Sequence, residues 1–175
     1  MAEILQGDAF VSYFRRRKDH ATKAADRLRF ETESTISKEK ESESTKTKEG
    51  MIVTISDGEN TAEFVSLAYK DDTDTIEMWR ELEDMFDNNE LIEFWNVPLG
   101  MLEDGETEVE PTYHQGYFTS FELSMPADGP AELSYSYAIN GRGIRGTDTL
   151  TEDQLGDLKS TYQYESLQAS GTPEA

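Results

Sequence analysis

The chain has 175 residues and a formal net charge of −21, with 37 acidic side chains, 16 basic side chains and no cysteine. This length is sufficient for one domain with a sizeable core, and the lack of thiols excludes disulfides and thiolate metal ligands. The acidic excess opposes non-specific binding to nucleic-acid phosphates and to anionic membranes. The first residues, MAEILQGDAF, do not have the pattern of a secretory signal, and no apolar stretch is long enough to span a membrane.

The charge is unevenly distributed along the chain. Residues 1–30 contain seven basic and four acidic side chains, whereas residues 71–110 contain fifteen acids and one arginine. This polarity fits a basic end that meets an acidic neighbour, and it equally fits ordinary solubility. Four consecutive cations follow the first apolar segment, and we predict that they form a salt-paired subunit contact rather than a nucleic-acid patch: Arg15, Arg16, Arg17 and Lys18.

The first predicted strand is Ala9–Phe14, which is apolar on both faces and is therefore expected to pack on two sides. Residues 19–27 are predicted to form a loop. From Leu28 to Ile36 the side chains alternate with a period of two, which is typical of a half-buried strand. The short β-branched run Met51–Ile55 predicts another strand.

Between these two strands lies a long charged arm, Ser37–Gly50, that contains no apolar side chain. Such a segment cannot offset the entropy of ordering it alone, so it is either a disordered surface loop or an arm that becomes ordered against another copy of the chain. In the second case its mixed charges would pair across a joint between identical subunits. The predicted contact residues are Ser37, Lys38, Glu39, Lys40, Glu41, Glu43, Lys46 and Lys48.

The middle of the chain is predicted to contain a turn, a strand, a helix and another strand. The Asp-Gly pair within residues 56–60 predicts a hairpin turn, after which Thr61–Tyr69 returns as a strand. A helix is predicted from Asp74 or Thr75 to Asn88-Asn89, because Ile76, Trp79, Leu82, Met85 and Phe86 share one helical face. Leu91–Val97 is predicted to be a strand that ends at Pro98, and residues 100–111 an acidic loop.

The clearest strand pair is a predicted antiparallel hairpin of Tyr113–Met125 and Leu133–Ile139. We expect its aromatic side chains to form one core or interface face; a sugar-stacking platform is the alternative. They are Tyr113, Tyr117, Phe121, Tyr135 and Tyr137. A short helix or strand is expected within residues 153–164. The pattern predicts a mainly β single domain (1–175), a β-sandwich or open β-barrel with one flanking helix, the arm at 37–50, and flexible ends at 1–8 and 165–175.

Signals for catalysis or cofactor binding are weak. Residues 141–146 read GRGIRG, which matches GxGxxG, but no helix opens inside the motif, so a turning strand is favoured over a nucleotide site. His20 and His114 are far apart in sequence, and His114 lies on the polar side of its predicted strand, where a surface or interface histidine is expected. We therefore predict no catalytic, cofactor or metal residue and no enzymatic activity.

Five segments in one order resemble the major tail proteins, or tail tube proteins, of long non-contractile-tailed phages (siphophages) of Gram-positive bacteria. They read RRRKDHATKAADRL, TESTISKEKESESTKTKEG, NNELIEFWNV, TYHQGYFTSFEL and AINGRGIRGTDTLTEDQL. Together they span most of the chain. A carbohydrate-binding or other β-sandwich interaction module is the alternative, and a glycosidase comes third.

The resemblance implies a structural virion protein. Members of that family form hexameric rings that stack into the tail tube, through which genomic DNA passes into the host. Each subunit contributes strands to a continuous barrel, the arm and the chain ends contact the next ring, and the helix near residues 76–86 lies outside the barrel. The implied partners are the protein itself, a tape measure protein, the tail terminator and distal tail proteins, and DNA that passes without specific binding; no membrane is implied. The implied location is the virion tail, with assembly in the host cytoplasm.

Overall fold

The structure, a computed structural model, describes residues 2, 4–70, 78–99, 102 and 106–151. The predicted start of the helix at Asp74 or Thr75, the predicted element at 153–164 and the predicted flexible end at 165–175 lie outside these residues. The described elements are β1 (Phe10–Arg16), β2 (Asp26–Arg27), β3 (Glu31–Thr47), β4 (Gly50–Leu67), α1 (Met78–Asp87), β5 (Ile92–Pro98), β6 (Glu108–Val109), β7 (Thr112–Ser124), β8 (Glu132–Ile139), β9 (Ile144–Arg145) and β10 (Asp148–Thr149).

Eight of these strands form one antiparallel sheet in the order β2-β1-β5-β7-β8-β4-β3, with β9 paired to β7. The two edge strands, β2 and β3, are separated in the chain by residues 28–30 alone. The Leu28 amide donates to Ser12 on β1, and the Phe30 carbonyl accepts from Leu67 on β4. The sheet therefore curls until its edges approach each other, which is the form of an open barrel.

The core fills the inner face of this curled sheet. The rings of Phe14, Phe64 and Phe94 lie 4.9–5.2 Å apart between centroids, and Tyr137 donates a hydrogen bond to the Ile92 carbonyl at 2.7 Å. Helix α1 covers this face with buried Met78, Leu82 and Met85, and partly buried Trp79 and Phe86 pack beside them. The predicted helical face is thus confirmed from Met78 onward. The helix ends at Asp87, and Asn89 follows with a positive φ of 52°.

A second, smaller apolar cluster lies on the other side of the sheet. Val11 and Tyr13 of β1 and Val97 of β5 pack there against Val109 and Leu150. Val109 belongs to β6 and Leu150 directly follows β10, so the short β6–β10 ribbon covers this end of the outer face. Since Phe14 belongs to the main core, β1 is packed on both sides, as its sequence predicts.

The β7–β8 hairpin is confirmed, but its predicted aromatic face is wrong. Phe118 pairs with Tyr137 while Ser120 pairs with Ser136, so Thr119 is an extra residue in a β-bulge. The bulge exchanges the two faces of β7, because each residue inserted into a strand reverses the alternation. Tyr135, Tyr137 and Phe118 are buried, whereas Tyr117 is exposed.

The predicted turn at residues 56–60 is also wrong, because β4 runs through it without interruption. Strands β3 and β4 form one long hairpin whose turn is Lys48-Glu49, where the Thr47 hydroxyl donates to the Gly50 carbonyl at 2.7 Å. The Asp-Gly pair lies instead at a bulge, since the pairing shifts between Lys38/Asn60 and Lys40/Asp57. Among the described residues, no helix is long and apolar enough to cross a membrane.

Candidate assembly surfaces

The outer part of the β3–β4 hairpin, residues 38–57, is an exposed two-stranded ribbon, which we call the distal hairpin. Almost every side chain in it is exposed. From the Lys40/Asp57 pair to its turn, the ribbon extends roughly 25 Å at the usual rise per residue of a strand. The predicted arm therefore has a regular structure in a single subunit, formed by pairing with the strand that follows it.

The pairing separates the side chains of the distal hairpin into two faces, because directly paired residues of an antiparallel ladder point to the same side. One face, here the apolar face, carries Met51, Val53 and Ile55, which are 62 %, 57 % and 69 % exposed. The residues paired with them are Lys46, Ser44 and Ser42. The opposite face carries Ile52, Thr54 and the acids Glu41 and Glu43.

The predicted contact residues of the arm are thus distributed over both faces. Lys38, Lys40 and Lys46 share the side of the apolar face, Ser37, Glu39, Glu41 and Glu43 lie on the other, and Lys48 is in the turn. Sequence reasoning predicted a strand at Met51–Ile55 but did not predict that its apolar side chains stay exposed. The detectable signal was that this apolar run directly follows a segment, Ser37–Gly50, that has no apolar side chain to cover it.

The predicted basic contact, Arg15 to Lys18, is paired inside the subunit with Glu90 and Glu93, which lie just before and within the adjacent strand β5. Arg15 and Arg17 bind Glu93 with N–O distances of 2.9 and 3.3 Å, and Arg16 binds Glu90 at 2.7 Å. Lys18 also pairs with Glu90. A role of this run between subunits stays a prediction, and two of its four positive charges are already balanced by Glu90 and Glu93.

Glu93 is the centre of this network and is 1 % exposed. Burial opposes its ionisation, but hydrogen bonds from Arg15 and Tyr113 outweigh that effect and hold its pKa below the ordinary value. The Arg15 guanidinium also lies 5.0 Å above the Trp95 ring. The carboxylate thus ties β1 to β5 from the outer side of the sheet.

The sheet has a second uncovered surface, on the side away from α1. We call it the helix-free face; its members are the residues that alternate with the core residues of β3, β4, β8 and β7. They are Glu33, Thr35, Ser37, Thr61, Glu63, Val65, Leu67, Glu132, Ser134, Ser136, Ala138, Tyr117, Ser120, Glu122 and Ser124. This set contains four carboxylates and seven hydroxyls of serine or threonine, and none of its members is basic. Its chemistry is acidic and hydrated.

His114 is buried rather than at the surface, which corrects the sequence-based expectation. Its side chain is 2 % exposed and stacks on Phe94 with ring centroids 5.1 Å apart. Burial lowers its pKa, so the ring is held neutral. A Cβ on Gly143 would lie 2.5 Å from the ring, and Gly143 has a φ of +79°, which explains one glycine of the GRGIRG motif.

Glu31 occupies a polar seam where the two edges of the sheet approach each other. Its Oε2 and the Oγ of Ser12 on β1 are buried without a hydrogen-bond partner among the described residues. Burial raises the pKa of Glu31 to about 7, and the nearby Ser12 and Ser34 hydroxyls and the charge of Arg27 oppose this rise with smaller effects. In the part of the chain that the structure describes, no three His, Asp or Glu side chains are grouped to hold a metal ion.

Residues 4–144 match the family of phage tail tube proteins. The chain belongs to this family. It is 37 % identical over 83 residues to a protein of Staphylococcus phage phiMR25 that is described as a tail protein, a match that covers 46 % of this chain and 43 % of that protein. The family expected from the five quoted segments is therefore confirmed, and its members are structural proteins of the virion tail.

Solved tail tubes share the fold. The tail tube of phage SPP1 is similar with a TM-score of 0.69 and 18 % identity, covering 98 % of this chain and 96 % of that one. The tail of a gene transfer agent particle, which has C6 symmetry, is similar with a TM-score of 0.57 and 14 % identity, covering 81 % and 98 %. The predicted mainly β fold of a tail tube protein, with an open sheet, is confirmed.

Proposed function

We propose that this tail tube protein assembles into hexameric rings that stack into the tube, with DNA passing through the lumen. The observation that carries the proposal is the distal hairpin, which holds three large apolar side chains in water on one face of a regular, fully paired ribbon. Exposed apolar side chains grouped on one surface are typical of protein–protein contact sites. In a tail tube, the partner that would cover this apolar face is a second copy of the chain in the adjacent ring.

Ring closure is proposed to use the two edges of the sheet. The edge strand β3 presents an unpaired row of backbone groups, and the opposite edge has only the two-residue strand β2. Exposed edges of this kind favour aggregation unless they are paired or covered. Pairing between neighbours in a closed ring would remove them and would produce a wide barrel with an open channel.

The helix-free face is proposed to line the lumen of the ring, and α1 is proposed to lie outside the barrel that the ring forms. The four glutamates of this face repel phosphates, and its hydroxyls keep it hydrated. DNA would therefore pass without adhering. The further proposed partners are a tape measure protein inside the tube and the terminator and distal tail proteins at its ends. Assembly is proposed to occur in the host cytoplasm, and no catalytic activity is proposed.

The test is electron microscopy of concentrated protein with and without the distal hairpin. Removing Ser37–Lys48 alone would leave β4 without its partner, so the better variant joins Lys40 to Asp57 through Asn-Gly, which replaces residues 41–56 by a tight turn. We expect the full chain to form long tubes and the shortened chain to stay a folded monomer. Tubes of normal length from the shortened chain would refute the role of the hairpin.

A further inference from the structure

The distal hairpin leaves the sheet at an irregular point. Strand β4 has an extra residue there, because Gly58 and Glu59 together face Glu39. A Cβ on Gly58 would lie 2.9 Å from the Glu39 carbonyl oxygen, so this close approach requires glycine. A bulge bends a ribbon and interrupts its ladder, and the direction of the distal hairpin is therefore set at this point.

The turn that follows β8 contacts this point directly. Asp57 accepts from Lys40, its partner across the ribbon, and from Arg142 at 3.2 Å. Asn60, on the other side of the bulge, donates to the Gly141 carbonyl at 2.6 Å. The hydrogen bond from Lys40 and the charge of Arg142 lower the pKa of Asp57, so the carboxylate stays ionised.

We propose that Lys40, Asp57 and Arg142, here the latch, fix the angle at which the distal hairpin leaves the sheet and thereby set the geometry for ring stacking. The inference rests on the proposed function. It assigns a role to the GRGIRG segment: Gly141, with a φ of +75°, turns the chain so that Arg142 meets Asp57. Arg142 is a positioning residue and is not itself assigned a contact with a neighbour.

The latch is exposed, so its effect on folding is small. Isolated surface ion pairs change stability little, and loss of this one should leave the thermal midpoint unchanged. Assembly is more sensitive, because the same misdirected hairpin recurs in every subunit. When the distal hairpin is no longer held in one direction, we expect the protein concentration at which tubes appear to rise by ~5-fold. This is the change that a single surface interaction typically produces.

Three variants with the same net charge test the latch. Arg142→Glu places two like charges beside each other. Arg142→Glu with Lys40→Glu and Asp57→Lys inverts all three signs and restores both attractions. Arg145→Glu is the matched control, since Arg145 is exposed in the same segment and lies on β9. Each variant lowers the net charge by two.

The direct measurement is the distance distribution between spin labels in the monomer. The chain contains no cysteine, so Lys48→Cys at the hairpin turn and Ser120→Cys on β7 give two unique sites. We expect Arg142→Glu to broaden the distribution about twofold, by analogy with loops that lose their ordering contacts. The sign-inverted variant and Arg145→Glu should keep the parent width.

Each outcome decides the inference. Equal widths for Arg142→Glu and Arg145→Glu would refute the latch. A broadened distribution with an unchanged concentration for tube formation would refute its role in stacking. If the parent forms no tubes under any condition, the proposed function fails, while the label distances in the monomer still decide whether the latch orients the hairpin.

Discussion

Strand β4 behaves in two different ways along its length. In its second half, residues 60–67 pair with β3 on one side and β8 on the other, and Ala62 and Phe64 are buried in the core. In its first half, residues 50–57 pair with β3 alone, and Met51, Val53 and Ile55 remain in water. One strand thus supplies both core residues and, among the described residues, a group of uncovered apolar side chains.

The comparison shows that backbone pairing and burial are separate requirements. The distal hairpin satisfies its backbone hydrogen bonds within the ribbon. A two-stranded ribbon is a single layer, however, and none of the described residues packs on it to cover its side chains. The bulge at Gly58 keeps Ile55 on the same side of the ladder as Phe64. The apolar face is therefore the continuation of the core face beyond the point where the subunit's own core ends.

The largest effect is expected in the core against which the second half of β4 packs. Phe94 is fully buried and packs on Phe14, Phe64 and His114, so Phe94→Ala should lower the free energy of unfolding by about 3–5 kcal/mol through lost burial and a cavity. Denaturant unfolding of the monomer measures this. Phe30→Ala is the matched control: Phe30 is half-exposed, and its loss should cost about 1 kcal/mol or less. Similar losses for both would contradict the assigned core.

A smaller effect is expected at the seam, where the substitution should raise the free energy of unfolding rather than lower it. The pKa of Glu31 is raised to about 7 from an ordinary value of 4.5, so its stabilising protonation is complete below pH 4.5 and is lost as pH rises through 7. Glutamine cannot ionise. Glu31→Gln should therefore unfold like the parent near pH 4.5 and be more stable at pH 8, by up to ~3 kcal/mol.

Urea unfolding at the two pH values tests this expectation. Glu43→Gln is the control, since Glu43 is exposed on the distal hairpin and its substitution should change stability little at either pH. Equal stability of Glu31→Gln and the parent at pH 8 would show that the seam admits enough water to solvate the carboxylate.

The sequence predicts the regular parts of this fold well, and two of the bulges, at Thr119 and at Asp57-Gly58, account for most of its errors. Alternation identifies β7 and β8, and helical spacing identifies α1. At Thr119 one added residue reverses the faces of β7, so His114 is buried and Tyr117 is exposed. The period-two alternation of the sequence indicates the reverse. At Asp57-Gly58 the same dipeptide suits a tight turn and a bulge, because both need a residue without a side chain.

The assembly surfaces were only partly predictable, for a related reason. The segment Ser37–Lys48 has no apolar residue, and it becomes a strand through its partner, which lies on the far side of the turn. The partners of Arg15 and Arg16, Glu93 and Glu90, lie more than seventy positions away, so no local pattern shows that these charges are already compensated. In both cases the missing information is the identity of a neighbour in space.

Substitutions on the apolar face are expected to change the stability of the monomer least and to abolish tube formation. Replacing Met51, Val53 and Ile55 by threonine retains strand propensity and removes only side chains that are already in water. The free energy of unfolding should change by less than about 0.5 kcal/mol, as for other surface substitutions. Tubes should be lost, because the ribbon no longer offers apolar surface to a second copy.

The opposite face of the same ribbon supplies the control. Thr45→Ser, Ile52→Thr and Thr54→Ser alter three side chains there without changing the net charge, and this variant should still form tubes. Negative-stain images at matched protein concentrations compare the two variants. If the control loses its tubes while the Met51, Val53 and Ile55 variant keeps them, the contact lies on the opposite face of the distal hairpin. The apolar face then has no part in stacking.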